Sequence, residues 1–173
     1  RMAYIPAGDY PIGSDHSNPD EAPRHTVSLP AFYLGVHEIS NHQFATFLND
    51  MRADEDTVNS WIGLQNVIDK ASLISFTGTR YRTQYGYEEH PVIGVSYVGA
   101  YQYCQWAQLR LPKEEEWEAA ALGGRQAVIY PWGDESPEGK ANYNQRWLHA
   151  DKAPPTQQVG SYLANPYGLY DMA

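Results

Sequence analysis

Apolar and polar positions alternate loosely through residues 2–12, MAYIPAGDYPI, and Pro6-Ala7-Gly8 cuts the alternation. A period of two places successive side chains on opposite faces of a strand, so this stretch predicts a strand broken by a turn. Residues 14–25, SDHSNPDEAPRH, are polar and read as a loop. Strand character returns over 26–38, TVSLPAFYLGVHE. Pro30 marks an edge or bend there, because it has no N–H to give to a ladder. The period then changes. In NHQFATFLNDM, Phe44, Phe47, Leu48 and Met51 recur at i, i+3, i+4 and i+7, and Ser40 stands where an N-cap is needed. That is the signature of one core-facing helical stripe.

Residues 52–90 carry a weaker pattern. Trp61, Ile62, Leu64, Val67 and Ile68 are apolar without a clear period. FTGTRYRTQYGYEEH reads as a hairpin turning at Thr77-Gly78, flanked by Phe76, Tyr81 and Tyr85. HPVIGVSY, 90–97, predicts a short buried strand. Ser96 then caps a helix reaching Gln108, with Ala100, Tyr103, Cys104 and Ala107 on one face, and Arg110-Leu111-Pro112 breaks it. A further helix, KEEEWEAAAL, begins after Pro112 and stops at Gly123-Gly124. Its three successive glutamates sit in the first turn, where the helix dipole favours negative charge. A solvated helix end accounts for them without a catalytic carboxylate pair. Beyond residue 125 the pattern is mostly loop, and loops that long inside a compact domain are held by metals, aromatic packing or function. Trp132 is expected to fill core.

Composition narrows the class. Hydrophobic residues make up 42% of the 173 and charged residues 19%, which fits one globular domain. Fourteen Tyr, 5 Trp, 14 Gly and 12 Pro suit a loop-rich fold pinned by rings better than a helical bundle. The net charge of -9 repels phosphate backbones, so nucleic acid is not an expected partner. No apolar run is long enough for a membrane span. The chain has one cysteine, Cys104, which by itself makes neither an internal disulfide nor a thiolate metal site. It reads as a small buried hydrophobe or as half of a disulfide with a partner beyond Ala173. The histidines, His16, His25, His37, His42, His90 and His149, form no HxH or HExxH pair, and a histidine metal site is not expected.

An ordered series of blocks carries a resemblance. IPAGDYPIGSD, DEAPRHTV, FYLGVHEISNHQF, HPVIGVSY, AYQYCQWA, RLPKEEEWEAAA, YPWGDE and NPYGLYDMA follow one another across the chain. In order and spacing they resemble the formylglycine-generating-enzyme (sulfatase-modifying-factor) family, RLPKEEEWE and GLYDMA most specifically. The resemblance implies an α+β, C-type-lectin-like fold of low regular secondary structure, with two main helices on small twisted antiparallel sheets. It further implies one domain over 1–173, C-terminally incomplete. Catalytic members bind copper(I) through a cysteine pair and oxidise a cysteine of a sulfatase to formylglycine. That pair would lie in a segment past Ala173, so no catalytic residue is carried over to this sequence. Departures from the pattern include Tyr97, Gly99 and Lys113, the last replacing a threonine N-cap whose loss costs about 1 kcal/mol. Glu116, three residues on, is expected to recover part of it.

The resemblance also implies calcium, a hard cation that takes six to eight oxygens. Asn142, the Tyr143 carbonyl, Asp151 and the Ala153 carbonyl match one family site, and Asp171 begins a second as a partial ligand. Two functions follow from it. The first is a non-catalytic calcium-binding domain acting as a protein-binding or accessory module in a larger assembly. The second is part of a copper-dependent formylglycine-generating oxidase. Calcium and the family together suggest an extracytoplasmic setting, periplasmic or secreted. A sugar ligand rests on fold analogy alone.

Overall fold

The computed structural model describes residues 1–15, 19–63, 72–125, 129–143 and 156–173. Leu64, Val67 and Ile68 lie outside these. In chain order the strands are β1 (Met2–Ile5), β2 (Gly8–Ile12), β3 (His25–Leu29), β4 (Phe32–Gly35), β5 (Ile74–Phe76) and β6 (Tyr81–Thr83). The helices are α1 (Asn41–Met51), α2 (Glu55–Trp61), α3 (Tyr97–Trp106) and α4 (Glu114–Leu122). The fold is thus α+β with small antiparallel sheets, as expected, and the described residues hold four helices. They fall into two compact units: residues 1–37, 112–141 and 160–173, and residues 38–111 with 142–159.

The first unit is built on a two-stranded ribbon. β1 pairs antiparallel with β4 (Met2 to Gly35, Ile5 to Phe32), and β2 with β3 (Gly8 to Leu29, Ile12 to His25). The register is the same on both sides of the interruption, so Pro6-Ala7 and Pro30-Ala31 lie opposite each other. Both breaks expected at prolines are present, and their alignment cuts the ribbon in two at one level, where two ladder N–H groups are missing. Ala3, Ile5, Tyr10, Ile12 and Phe32 turn inward, where Ala119 and Ala120 of α4 and Leu169 complete a core with Val36. Gly13 closes β2 with φ of 80°, and its N–H donates to the Glu118 carboxylate of α4 at 2.8 Å.

α4 begins and ends where expected, with Gly123 in the left-handed region after it. Its start departs from a solvated end. Glu116 is only 4% exposed, and its carboxylate accepts the Lys113 N–H at 2.8 Å. This is half of a capping box. The other half is missing because the Lys113 ammonium has no acceptor.

The second unit packs α1, α2 and α3 around aromatic rings. Ser40 caps α1 with a full box: its hydroxyl accepts the Gln43 N–H at 3.3 Å, and the Gln43 side chain accepts the Ser40 N–H at 2.9 Å. Phe44, Phe47 and Leu48 are buried as the stripe requires. Met51 is not. It is 40% exposed, because α1 ends there and Arg52 turns the chain away with φ of 49°. The hairpin forms as β5–β6 with Phe76 opposite Tyr81, closed by the Thr77 N–H donating to the Arg80 carbonyl at 2.9 Å. Tyr85 lies past the hairpin and is 94% exposed.

Two local readings are corrected. Residues 90–97 are not a strand. They make isolated bridges, Pro91 to Ser40 and Val95 to Ile62, because Gly94 at φ of 72° bends the chain between them. α2, which the sequence left unread, is a short helix capped by Asp54, whose carboxylate accepts the Thr57 N–H at 2.8 Å. Ser96 caps α3 as expected, accepting the Gly99 N–H at 3.0 Å. On α3, Gly99 and Tyr103 are buried, while Ala100 and Cys104 are half-buried. A Cβ on Gly99 would lie 2.2 Å from the Trp61 carbonyl oxygen, so only glycine permits this close approach to the end of α2.

Candidate functional site

The residues proposed to hold calcium meet different fates. Asn142 and Tyr143 are exposed members of the second unit, in a stretch without regular structure. Asp151 and Ala153 lie outside the described residues. Asp171 belongs to the first unit, half-buried, with φ of 56°. An aspartate tolerates that left-handed conformation better than most residues. Its Oδ2 accepts the Gly160 N–H at 2.6 Å. Beside this bond a Cβ on Gly160 would lie 2.7 Å from the His37 ring, which packs against Tyr170 with centroids 4.7 Å apart. Gly160 is therefore fixed twice, by the Asp171 carboxylate on its amide and by the imidazole against its Cα.

In kind, the donors fit a hard cation: amide, carbonyl and carboxylate oxygens, with no sulfur and no imidazole. Among the described residues, no three His, Cys, Asp or Glu side chains gather where a metal ion would sit. A cation held at Asp171 thus has one carboxylate among these groups and takes its remaining oxygens from elsewhere.

The residue that sequence reasoning missed is Asn165, the start of NPYGLYD. It is 8% exposed. Its amide nitrogen donates to the Ala120 and Ala121 carbonyls at 2.7 and 3.1 Å, and its Oδ1 accepts the Tyr167 and Leu169 N–H groups at 3.0 and 3.2 Å. Four bonds from one side chain tie the last turn of α4 to the loop that carries Leu169. They also give a donor to the Ala121 carbonyl and a second one to the Ala120 carbonyl, which already accepts the Gly123 N–H at 3.1 Å. An Asn-Pro dipeptide followed by Gly168 was the only available signal, and it reads merely as a turn.

Cys104 is a free, half-buried thiol, and burial pushes its pKa up. A thiol so placed stays protonated and is a poor soft-metal ligand as it stands. Of the histidines, His25 lies 3.0 Å from the Pro23 carbonyl through Nδ1, and His90 lies 2.8 Å from the Thr156 hydroxyl. His16 and His149 lie outside the described residues. Trp132 does not enter either core. It stacks half-buried on Tyr130, centroids 5.0 Å apart, and its indole N–H donates to the Glu135 carbonyl at 3.1 Å. Among the described residues no helix is long and apolar enough to cross a membrane.

Similarity to known proteins spans the whole chain. A chlamydial serine/threonine-protein kinase, Pkn1 of Chlamydia trachomatis serovar L2, is 39% identical over 173 residues, covering 99% of this chain and 26% of that protein. The chain thus spans about a quarter of that relative's length. The formylglycine-generating enzyme of Mycobacterium tuberculosis is 32% identical over 212 residues, covering 99% of this chain and 70% of the enzyme. In three dimensions, PvdO from Pseudomonas aeruginosa superposes with a TM-score of 0.65 at 20% identity, covering 99% of this chain and 66% of that one. That likeness concerns the fold. The model of the sulfatase-modifying factor enzyme 1-like domain matches residues 1–173, and the chain belongs to that family.

Proposed function

We propose that this chain is a non-catalytic, calcium-holding member of the family that binds a protein partner or serves as an accessory module of a larger assembly. One observation carries the reading. The copper chemistry of the catalytic relatives needs two soft thiolates, and the cysteine present, Cys104, is a half-buried thiol on α3 that supplies no such pair by itself. The kinase relative supports the modular part, since the matched region is 26% of its length. The oxygen donors at Asn142, Tyr143, Asp151, Ala153 and Asp171 support calcium, and a calcium-loaded domain suits an extracytoplasmic setting. The test is thermal melting of the full-length protein with calcium and with chelator. Calcium should raise the midpoint in the wild type, and Asp151→Ala and Asp171→Ala should each lose part of that rise. Identical melting with and without chelator would sink the metal claim.

A second reading, the copper-dependent formylglycine-generating oxidase, is favoured by the 32% identity to the mycobacterial enzyme. Supplying the full-length protein with copper, oxygen and a Cys-x-Pro-x-Arg peptide decides between them. Aldehyde formation would replace the first reading, and no turnover would leave it standing.

A further inference from the structure

α1 carries two stripes. The apolar one enters the core. On the other, His42, Thr46 and Asn49 recur at i, i+4 and i+7 and line a cleft of about 360 Å³. Arg80, Arg82 and Thr83 of the hairpin form its other wall, and Glu88 also lines it. Asn49 fixes the two walls: its side-chain nitrogen donates to the Tyr81 carbonyl at 2.9 Å, and its oxygen accepts the Tyr81 N–H at 2.8 Å. With Tyr81 turned into the core, the alternation of a strand sends Arg80 and Arg82, on either side of it, to the outer face. Both arginines are exposed.

Two facts about this cleft go together. In a chain of net charge -9, with 21 acidic against 12 basic residues, unpaired arginines are unexpected. Yet among the described residues neither the Arg80 nor the Arg82 guanidinium has a hydrogen bond or ion pair. Glu88 lines the same cleft and accepts the Gly86 N–H through one carboxylate oxygen at 2.9 Å.

We propose that this cleft binds a tetrahedral oxyanion, the phosphate or sulfate group of a monoester. The guanidinium forks of Arg80 and Arg82 match such oxygens in geometry and charge. His42 adds a ring nitrogen at the helix side.

The test is titration of the isotope-labelled full-length protein with inorganic phosphate, inorganic sulfate and acetate at matched ionic strength, read by amide chemical shifts. Phosphate, sulfate or both should move the amides of residues 80–83 and His42 saturably, with acetate weaker. The preference between phosphate and sulfate names the ester. Replacing both exposed arginines, Arg80→Gln with Arg82→Gln, should weaken binding by about tenfold or more for each guanidinium removed. Shifts that rise linearly as with sodium chloride, acetate binding as tight as phosphate, or equal affinity in the double variant would each overturn the proposal.

Discussion

The two compact units solve the same problem differently. The second fills its core with rings from one continuous stretch, Phe44 to Ala107. Phe47 stands at its centre, with ring centroids 5.2 Å from Phe44, 5.2 Å from Trp61, 5.6 Å from Tyr103 and 5.7 Å from Trp106. The first unit draws on three separate stretches, fills mostly with aliphatic side chains and alanines around the rings of Tyr10 and Phe32, and is stitched by one buried amide, Asn165. Rings in contact secure a core through area and geometry. A core assembled from distant segments needs directional bonds as well, because Ala119, Ala120 and Leu169 offer little to fix how they meet.

Four outcomes probe this contrast, the largest first. Phe47→Ala should cost about 4 kcal/mol by denaturant unfolding, since a fully buried ring with four aromatic neighbours leaves a cavity that stiff rings cannot fill. Asn165→Ala should cost about 3 kcal/mol by the same measurement, because the bonds to the Ala120 and Ala121 carbonyls and to two loop N–H groups are lost together, with only the Ala120 carbonyl keeping another donor, the Gly123 N–H. A loss below about 1 kcal/mol would show that the stitch is ornamental and the contrast false. Lys113→Thr should raise stability by about 1 kcal/mol by giving α4 the hydroxyl that completes its capping box. If it does not, the Glu116 half already suffices.

The smallest effect concerns pH. Burial is the first cause that raises the pKa of Tyr10 in the first unit and of Tyr81 and Tyr103 in the second, with the Tyr167 hydroxyl adding at Tyr10. The folded protein keeps these protons more tightly than the unfolded chain. Their contribution is therefore complete below the ordinary tyrosine pKa of about 10 and is lost as pH rises above it. Tyrosinate absorbance should show a late-ionising fraction that emerges only as the fold is lost, and Tyr10→Phe should remove the latest part. Ionisation of all tyrosines within the ordinary range would contradict this.

Much of the second unit was legible because its information is local. The period at Phe44, Phe47 and Leu48, the caps at Ser40 and Ser96, and the Thr77-Gly78 turn are written within a few residues of the structure they make. α2 was missed because seven residues give too few repeats to establish a period. Val95 misled because a run of apolar residues looks the same in a strand and in a bridging segment. The family was legible from ordered blocks, and with it the fold. The work of Asn165 was not, since the helix carbonyls it holds lie more than forty residues upstream. Nor was the role of Asp171 on the Gly160 amide, which is a property of two loops meeting.

The placement of Leu169 has a consequence for the order of events during synthesis. A ribosome moving along the message has delivered every residue of the aromatic core by Ala107, and that core's contacts close shorter loops than the one from Ile5 to Leu169. The proline-cut ribbon precedes that core in the chain, yet its inner face stays uncovered until Ala119, Ala120 and finally Leu169 arrive, more than 160 residues after Ile5. Closing so long a loop carries a larger entropic cost than any contact within the aromatic core. The earliest strands of the chain are thus among the last to be buried, and the alternation with polar positions in MAYIPAGDYPI is what the nascent chain shows to solvent meanwhile.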